Sequence, residues 1–319
     1  MWVTGVIGAG TCAVAYGILS AHSASELKKR LPVPGAAPSS PQLVYHQIWY
    51  QGEPPPRYDD MRASCRLANP EWKVMLHDEA GLRKLCAAVD EQDPTIGIGD
   101  LFDQATTMHE RIDAGRLAAL YAHGGVSVDM DMYCVTALED AMKKVPDNAI
   151  GVCRCDKGPL VALLGIGRSL GVNNAVFFVP QPQSPALLQL IRILATSTRQ
   201  HYDDHPKASA TARIMNTWGP HAVTRAVLSM PPEAVVVLDA EEQFKGEDVG
   251  SYTGKAAVLH MNEGTWQKSA AAHNMRRALR PLVRVYAKWT GAVELVGVSL
   301  AGAVVCICVH AALRRRPHK

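Results

Sequence analysis

The stretch from Arg111 to Cys134, RIDAGRLAALYAHGGVSVDMDMYC, constrains the fold more than any other part of the chain. Its first half places apolar residues at helical spacing and predicts a helix with one apolar face. Gly124 and Gly125 end that helix, because glycine makes a sharp turn without steric cost. Alternating valines then predict a short strand. The stretch therefore predicts a helix, a tight turn and a strand.

Asp129 and Asp131 follow at the end of this strand. Residues i and i+2 of an extended chain share a face, so we expect both carboxylates to point the same way. Most isolated Asp-x-Asp pairs are solvated loop acids, and only about one in ten would bind a metal on that pattern alone. A pair that ends an apolar strand is more suggestive of a metal site, because its two carboxylates repel each other. Bound Mg²⁺ or Mn²⁺ would relieve this repulsion and still accept diphosphate oxygens as ligands. The pattern indicates a metal–diphosphate site.

The surrounding residues resemble the sugar-binding DXD region of glycosyltransferase family 32, whose pattern is roughly R-x-D-x-x-R-x-x-x-L-Y-x-x-G-G-hydrophobic-Y-x-D-x-D. Ser127 stands where an aromatic residue is commoner. The matching residues are Asp113, Arg116, Tyr121, Gly124, Gly125, Asp129 and Asp131. The resemblance implies a retaining, metal-dependent glycosyltransferase, with GDP-mannose as first donor and a UDP-sugar as second. It implies a glycan or a sphingolipid such as inositolphosphoceramide as acceptor.

The fold implied by this resemblance is α/β: a GT-A-type, single Rossmann-like nucleotide-sugar-binding domain with a central mixed sheet over residues 42–272. The order of elements supports the class independently. Strand patterns at Leu43–Trp49 and Trp72–Leu76 alternate with helical patterns such as Glu79–Val89. N- and C-terminal membrane segments are expected to flank this domain.

Two strand patterns suggest substrate contacts. Leu43–Trp49 resembles the opening strand of the family, which implies nucleotide contacts for His46 and Trp49. A core histidine satisfied by the backbone is the alternative for His46. Asn173 and Asn174 begin the strand pattern VNNAVFFV, where the family has an asparagine facing the sugar. A turn residue at the start of a strand is the alternative there.

The stretch Val258–Trp266 resembles the end of the family's catalytic domain, H-x-x-x-G-[ST]-W. The resemblance implies that His260 is a third metal ligand and that Trp266 lies in a loop over the substrate. Imidazole suits Mn²⁺ at a mixed nitrogen and oxygen site better than Mg²⁺. By itself, a histidine at a strand end is more often structural, so both interpretations of His260 stay open.

These observations give each candidate residue a predicted role. Asp113 and Arg116, one helical turn apart, are predicted to position the nucleotide sugar, with a mutual salt bridge as the alternative. No carboxylate stands out as a covalent nucleophile, so we favour front-face attack by the acceptor hydroxyl. The predicted catalytic residues are Asp129, Asp131 and Asn174, and the predicted metal ligands are Asp129, Asp131 and His260. The predicted substrate-binding residues are His46, Trp49, Asp113, Arg116, Tyr121, Gly124, Gly125, Asn173 and Trp266.

Apolar segments near both ends predict membrane association. Residues 1–25 contain no Asp, Glu, Lys or Arg and predict an anchor or signal peptide, followed by a Pro-rich linker at 26–41. Residues 290–313 predict a transmembrane helix between a basic juxtamembrane stretch at 273–289 and a basic tail at 314–319. The topology signals conflict. The resemblance implies a Golgi or ER membrane protein with a lumenal catalytic domain, and a regulatory membrane subunit is a further expected partner.

Composition argues against one class of partner. The net charge is only +3 with mixed signs, which predicts no nucleic-acid binding. The eight cysteines show no paired metal spacing and are interpreted as small buried hydrophobes, one disulfide being compatible with the pattern.

Two functional alternatives remain open. One is a haloacid-dehalogenase-type phosphatase, with Asp129 as nucleophile and Asp131 as acid or base. The other is a non-catalytic membrane protein with a degenerate transferase domain.

Overall fold

The computed structural model describes residues 26–27, 29–32, 38, 40–50, 52–155, 171–238, 244–245 and 257–261. These residues belong to one compact unit that spans 23–155 and 171–268. The structure says nothing of Trp266 or of the predicted terminal segments, which lie outside the described residues: 1–25, 273–289, 290–313 and 314–319. None of the helices in the described ranges has both the length and the hydropathy needed to cross a membrane.

Two sheets organise the described residues. The strands are β1 Val44–Ile48, β2 Lys73–His77, β3 Gly125–Val128, β4 Met132–Cys134, β5 Ile150–Cys155, β6 Gly171–Val179, β7 Val235–Leu238, β8 Phe244–Lys245 and β9 Val258–His260. The central sheet has the order β2-β1-β3-β6-β5-β7, and the smaller sheet has the order β4-β9-β8. In the central sheet β1 runs parallel to β2 and β3, whereas β6 runs antiparallel to β3 and β5. The predicted α/β class with a central mixed sheet is confirmed.

Helices pack around this sheet. They are α1 Asp59–Ala68, α2 Glu79–Gln92, α3 Ile98–Gln104, α4 Met108–His123, α5 Leu138–Met142, α6 Pro185–Asp204, α7 Ala210–Asn216 and α8 Pro220–Ser229. Successive residues of β6 belong to different apolar clusters. Phe177 packs in the cluster with α4, α6 and α8, and Phe178 packs in the cluster with α1 and α5. Since successive strand residues point to opposite faces, the sheet is covered on both sides.

Helix α4 is buried on nearly all sides, whereas the sequence predicted one apolar face. Its buried residues include Glu110, Asp113 and Arg116 as well as the expected apolar ones. The helix begins with a capping box, in which Thr107 and Glu110 satisfy each other's backbone amides. The polar groups inside this helix are therefore partnered by other elements, which the helical pattern alone does not specify.

The turn between α4 and β3 requires glycine. Gly125 has a φ of +88°, and a Cβ added there would lie 2.2 Å from the carbonyl oxygen of Val44. Only glycine lets the start of β3 approach β1 this closely. The sharp turn predicted at this position is confirmed, and it brings the carboxyl ends of β1 and β3 to the same edge of the sheet.

The folded unit begins earlier than the predicted boundary at residue 42. Leu27 is buried in the larger apolar cluster. The Arg30 guanidinium donates to the Met230 carbonyl oxygen at 2.8 Å, and the Arg30 carbonyl oxygen accepts from the Val237 amide at 2.7 Å. The prediction that all of residues 26–41 form a linker is therefore corrected, because this early part packs on α8 and β7.

A disulfide joins Cys65 of α1 to Cys134 of β4. The sequence allowed one disulfide without identifying its partners. The two cysteines lie 69 residues apart, so only the packing of α1 against β4 brings them together.

Candidate functional site

Asp129, Asp131 and His260 form a cluster at the carboxyl end of β3. One ligand atom from each residue lies within 4.8 Å of the other two, and all three side chains are half-buried. The Nε2 atom of His260 is 3.1 Å from Oδ1 of Asp131. The structure thus brings together the three residues that the sequence predicted as metal ligands.

The two aspartates converge through a turn, not along one extended strand. Strand β3 ends at Val128, residues 129–131 form a loop and turn, and β4 begins at Met132. Antiparallel pairing then places Met132 opposite His260, and the Met261 amide donates to the Asp131 carbonyl oxygen at 2.8 Å. The strand-based reason for the convergence is corrected: the turn and the β4–β9 pairing produce it.

The buried Arg116 guanidinium ties this cluster to α4 and β6. Its Nη2 atom lies 2.5 Å from Oδ1 of Asp129 and 3.4 Å from Oδ1 of Asp113. Its Nη1 atom donates to the carbonyl oxygen of Asn174. The mutual salt bridge that the sequence offered as an alternative is present, and Asp129 extends it into a three-residue network.

The charges of this network leave an excess of negative charge. Burial raises the pKa of Asp129, an effect that Arg116 opposes and Asp131 reinforces. Burial alone would lower the pKa of Arg116, but Asp129 and Asp113 raise it above the ordinary value. The network thus holds three carboxylates and one guanidinium, and the His260 imidazole adds positive charge only if it is protonated.

A divalent cation fits the charge and chemistry of the cluster. Two carboxylate oxygens and an imidazole nitrogen form a mixed set of ligands that suits Mn²⁺. The cation would also offset the excess of carboxylates over guanidinium groups, since buried like charges need a compensating partner. These residues therefore suit a metal site.

The two asparagines at the start of β6 have different surroundings. Asn173 lies inside β6, and its side-chain oxygen accepts a hydrogen bond from the Ala175 amide at 2.9 Å. Asn174 contributes its backbone oxygen to Arg116, and its side chain is buried. Asn174 is therefore connected to Asp129 through one guanidinium, and a sugar contact from its amide stays a prediction.

His46 is a core histidine whose ring nitrogens both have protein partners. Its Nδ1 atom is 2.9 Å from Nε2 of His77, and its Nε2 atom is 2.8 Å from the Gly124 carbonyl oxygen. Its ring also stacks on His123. These contacts match the core-histidine alternative for His46, and its nucleotide contact stays a prediction.

Acidification is expected to destabilise the protein through these histidines. Burial lowers the pKa of His46 and of His77 to about 4. Because an unfolded histidine titrates near pH 6.5, the unfolded chain binds more protons between about pH 4 and 6.5. The stability contributed by the neutral rings is complete above about pH 6.5 and is lost as the pH falls towards 4. For His46 the loss is about 2–3 kcal/mol.

Urea unfolding between pH 7.5 and 4.5 measures this loss, with His46→Gln as the comparison. The variant lacks the titrating ring, so its stability should fall less steeply with acid than that of the natural protein. Equal slopes for the two proteins would contradict the assignment.

Trp49 lies beside the turn that carries the aspartates. It packs with Tyr58, Met61, Met130 and Met261 in a small apolar cluster, and its ring centroid is 5.3 Å from that of Tyr58. The apolar residues at the start of α1 were not among the predicted site residues. Met130, placed between the two aspartates, is the sequence signal that such an apolar neighbour exists.

Tyr121, Gly124 and Gly125 lie at the other end of β3 from the aspartates. The Tyr121 hydroxyl donates to Gln92 at 2.9 Å, and the two glycines form the turn into the amino end of β3. These three residues thus have structural contacts, and their substrate contacts stay a prediction.

The fold and the site define an α/β domain that carries its DXD motif in an acidic cluster suited to a metal. Residues 55–150 match the protein family described as "Glycosyltransferase sugar-binding region containing DXD motif". Inositol phosphoceramide mannosyltransferase 1 of Schizosaccharomyces pombe (strain 972 / ATCC 24843) is 22% identical over 193 residues, which are 60% of this chain and 54% of that protein. The resemblance to glycosyltransferase family 32 is confirmed. The chain spans about half the length of this curated relative.

Two solved structures show a looser likeness. PaToxG glycosyltransferase is 14% identical with a TM-score of 0.44, over 69% of this chain and 77% of that chain. Mouse xyloside xylosyltransferase 1 in its apo form is 15% identical with a TM-score of 0.38, over 70% of this chain and 85% of that chain. The fold assignment therefore rests on the sheet and the site described above.

Proposed function

We propose that this chain is a metal-dependent, retaining glycosyltransferase. The observation that carries the proposal is the convergence of Asp129, Asp131 and His260 within 4.8 Å, beside the buried Arg116. GDP-mannose is the first candidate donor and a UDP-sugar is the second. The name of the curated relative supports the mannosyl donor.

Each residue of the cluster has a distinct proposed role. Asp131 and His260 hold the cation, and Asp129, oriented by Arg116, faces the cation or the ribose of the donor. When bound, Mn²⁺ or Mg²⁺ offsets the negative charge that develops on the departing nucleoside diphosphate. Asn174 orients the sugar through its amide, next to the guanidinium that fixes Asp129.

Retention of configuration is proposed to proceed by front-face attack of the acceptor hydroxyl. Within the described residues, Asp113 and Asp129 face Arg116, and Asp131 faces His260. No carboxylate among these residues stands out as a covalent nucleophile, which is why front-face attack is proposed. Mass-spectrometric detection of a glycosyl adduct on a side chain would contradict it.

The acceptor is proposed to be a sphingolipid such as inositolphosphoceramide, with a glycan as the second candidate. The predicted apolar segments at 1–25 and 290–313 support a membrane location, and a regulatory membrane subunit is a proposed partner. The Cys65–Cys134 disulfide supports placing the catalytic domain in the lumen of the Golgi or ER, because disulfides persist in oxidising compartments.

A donor assay on the purified full chain in detergent tests the proposed function. GDP-mannose and a panel of UDP-sugars are incubated with Mn²⁺ or with EDTA, and nucleoside diphosphate release is measured. We expect turnover of one donor, its loss in EDTA, and its recovery when Mn²⁺ is added back. Phosphatase activity without nucleotide-sugar turnover would favour the haloacid-dehalogenase alternative. Binding of no nucleotide sugar would favour a non-catalytic protein.

A further inference from the structure

The disulfide lies close to the candidate metal site in the chain. Cys134 is three residues beyond Asp131 and ends β4, the short strand that Asp131 precedes. Both disulfide cysteines are buried, Cys65 completely. The covalent link therefore joins α1 to the strand that follows a predicted metal ligand.

Two hydrogen bonds accompany this link, one to β4 and one to the start of α5. The Cys134 amide donates to the Ser64 hydroxyl oxygen at 3.1 Å, and the Leu138 amide donates to the Asn69 side-chain oxygen at 2.7 Å. Ser64 lies within α1, directly before Cys65, and Asn69 directly follows the helix. The second half of α1 thus holds β4 through one covalent bond and one hydrogen bond, and a hydrogen bond to Asn69 holds the chain that follows β4.

On its other side β4 pairs with β9, the strand that ends at His260. Met132 lies opposite His260 and Cys134 lies opposite Val258. Strand β4 has only three residues and stands at the edge of the small sheet, where pairing with one neighbour gives little independent stability. The register that brings Asp131 to His260 therefore depends on what holds β4 from outside the sheet.

We infer that the Cys65–Cys134 disulfide is a positioning element for the metal cluster, which makes metal affinity sensitive to reduction. The inference rests on the proposed metal site. A dithiol reductant supplies two electrons and two protons, the S–S bond breaks to give two thiols, and the reductant becomes a disulfide. Strand β4 then loses its covalent link to α1, and Asp131 and His260 must be ordered again when the metal binds.

Electron paramagnetic resonance of free Mn²⁺ in the presence of the full chain tests this inference. We expect the Cys65→Ala/Cys134→Ala variant to bind Mn²⁺ about tenfold more weakly, the lower end of what outer-shell partners contribute. The Mn²⁺ concentration for half-maximal activity should rise in parallel, while kcat at saturating Mn²⁺ stays within about twofold. Cys86→Ala is the matched control, since Cys86 is a buried free thiol in the cluster on the other face of the sheet.

Unchanged Mn²⁺ affinity in a folded double variant would overturn the inference. If that variant does not fold, the natural protein is reduced with dithiothreitol in the cold, and circular dichroism and Mn²⁺ binding are followed together. Weaker binding with native dichroism supports the inference. Unchanged binding overturns it, as does global unfolding, because the disulfide would then hold the whole domain. Failure of the oxidised natural protein to bind Mn²⁺ would instead reject the proposed metal site.

Discussion

Asp131→Asn is expected to lower metal-dependent kcat/KM by about a thousandfold, which corresponds to roughly 4 kcal/mol of transition-state stabilisation. Asparagine keeps the size of the side chain and removes its charge. The Asp131 carboxylate lies 3.1 Å from His260 and shares a 4.8 Å cluster with Asp129, so the change removes a charged ligand from the centre of the site. Steady-state kinetics and Mn²⁺ binding by electron paramagnetic resonance should show the two losses together.

Asp140→Asn is the matched control for this substitution. Asp140 is exposed on α5, and the same chemical change there should leave both kcat/KM and Mn²⁺ affinity within about twofold. Full activity in Asp131→Asn would contradict the assignment of this carboxylate as a ligand. Equal losses in both variants would point to a general electrostatic effect.

Arg116→Met is expected to destabilise the protein by about 3–5 kcal/mol, the range measured when one partner of a buried ion pair is removed. The Arg116 side chain is only 4% exposed, and Asp113 and Asp129 both depend on it for compensation. Methionine keeps much of the length of the arginine side chain but carries no charge. Urea unfolding at neutral pH measures the loss.

Arg83→Met provides the comparison at the surface. Arg83 contacts Glu79 and Asp103, but its side chain is 52% exposed, so its loss should cost about 1 kcal/mol or less. Arg116→Met/Asp129→Asn should recover part of the stability lost in Arg116→Met, because one uncompensated charge is then removed. Equal costs for the two arginines, or no recovery in the double variant, would contradict the buried network.

Local signals in the sequence were sufficient for much of the scaffold. The helix, glycine turn and strand of Arg111–Val128 were predictable because helical spacing and the special φ of Gly125 are properties of neighbouring residues. The α/β class followed from the alternation of strand and helix patterns in the same way. The predicted metal ligands came together, although the turn at 129–131 and the β4–β9 pairing brought them there.

The roles of several candidate side chains depended on contacts across the fold. His46 and Tyr121 lie in sequence patterns that resemble substrate-binding positions. In the structure, however, their side chains form hydrogen bonds with His77 and Gln92 respectively. The partners in each pair are about thirty residues apart in the chain. Strand and helix periodicity determine which face a side chain occupies, not which atom of a distant element it meets.

By itself, then, the sequence determined the element order, the glycine turn, the α/β class and the residue types of the candidate metal site. It also predicted membrane segments, which remain predictions. The tertiary structure alone decided that Arg116 bridges Asp113 and Asp129, that Cys65 pairs with Cys134, and that His46 belongs to the core. The physical reason is the distance along the chain over which each interaction acts. Backbone conformation is set by near neighbours, whereas ion pairs, disulfides and buried hydrogen bonds are set by how separate elements pack.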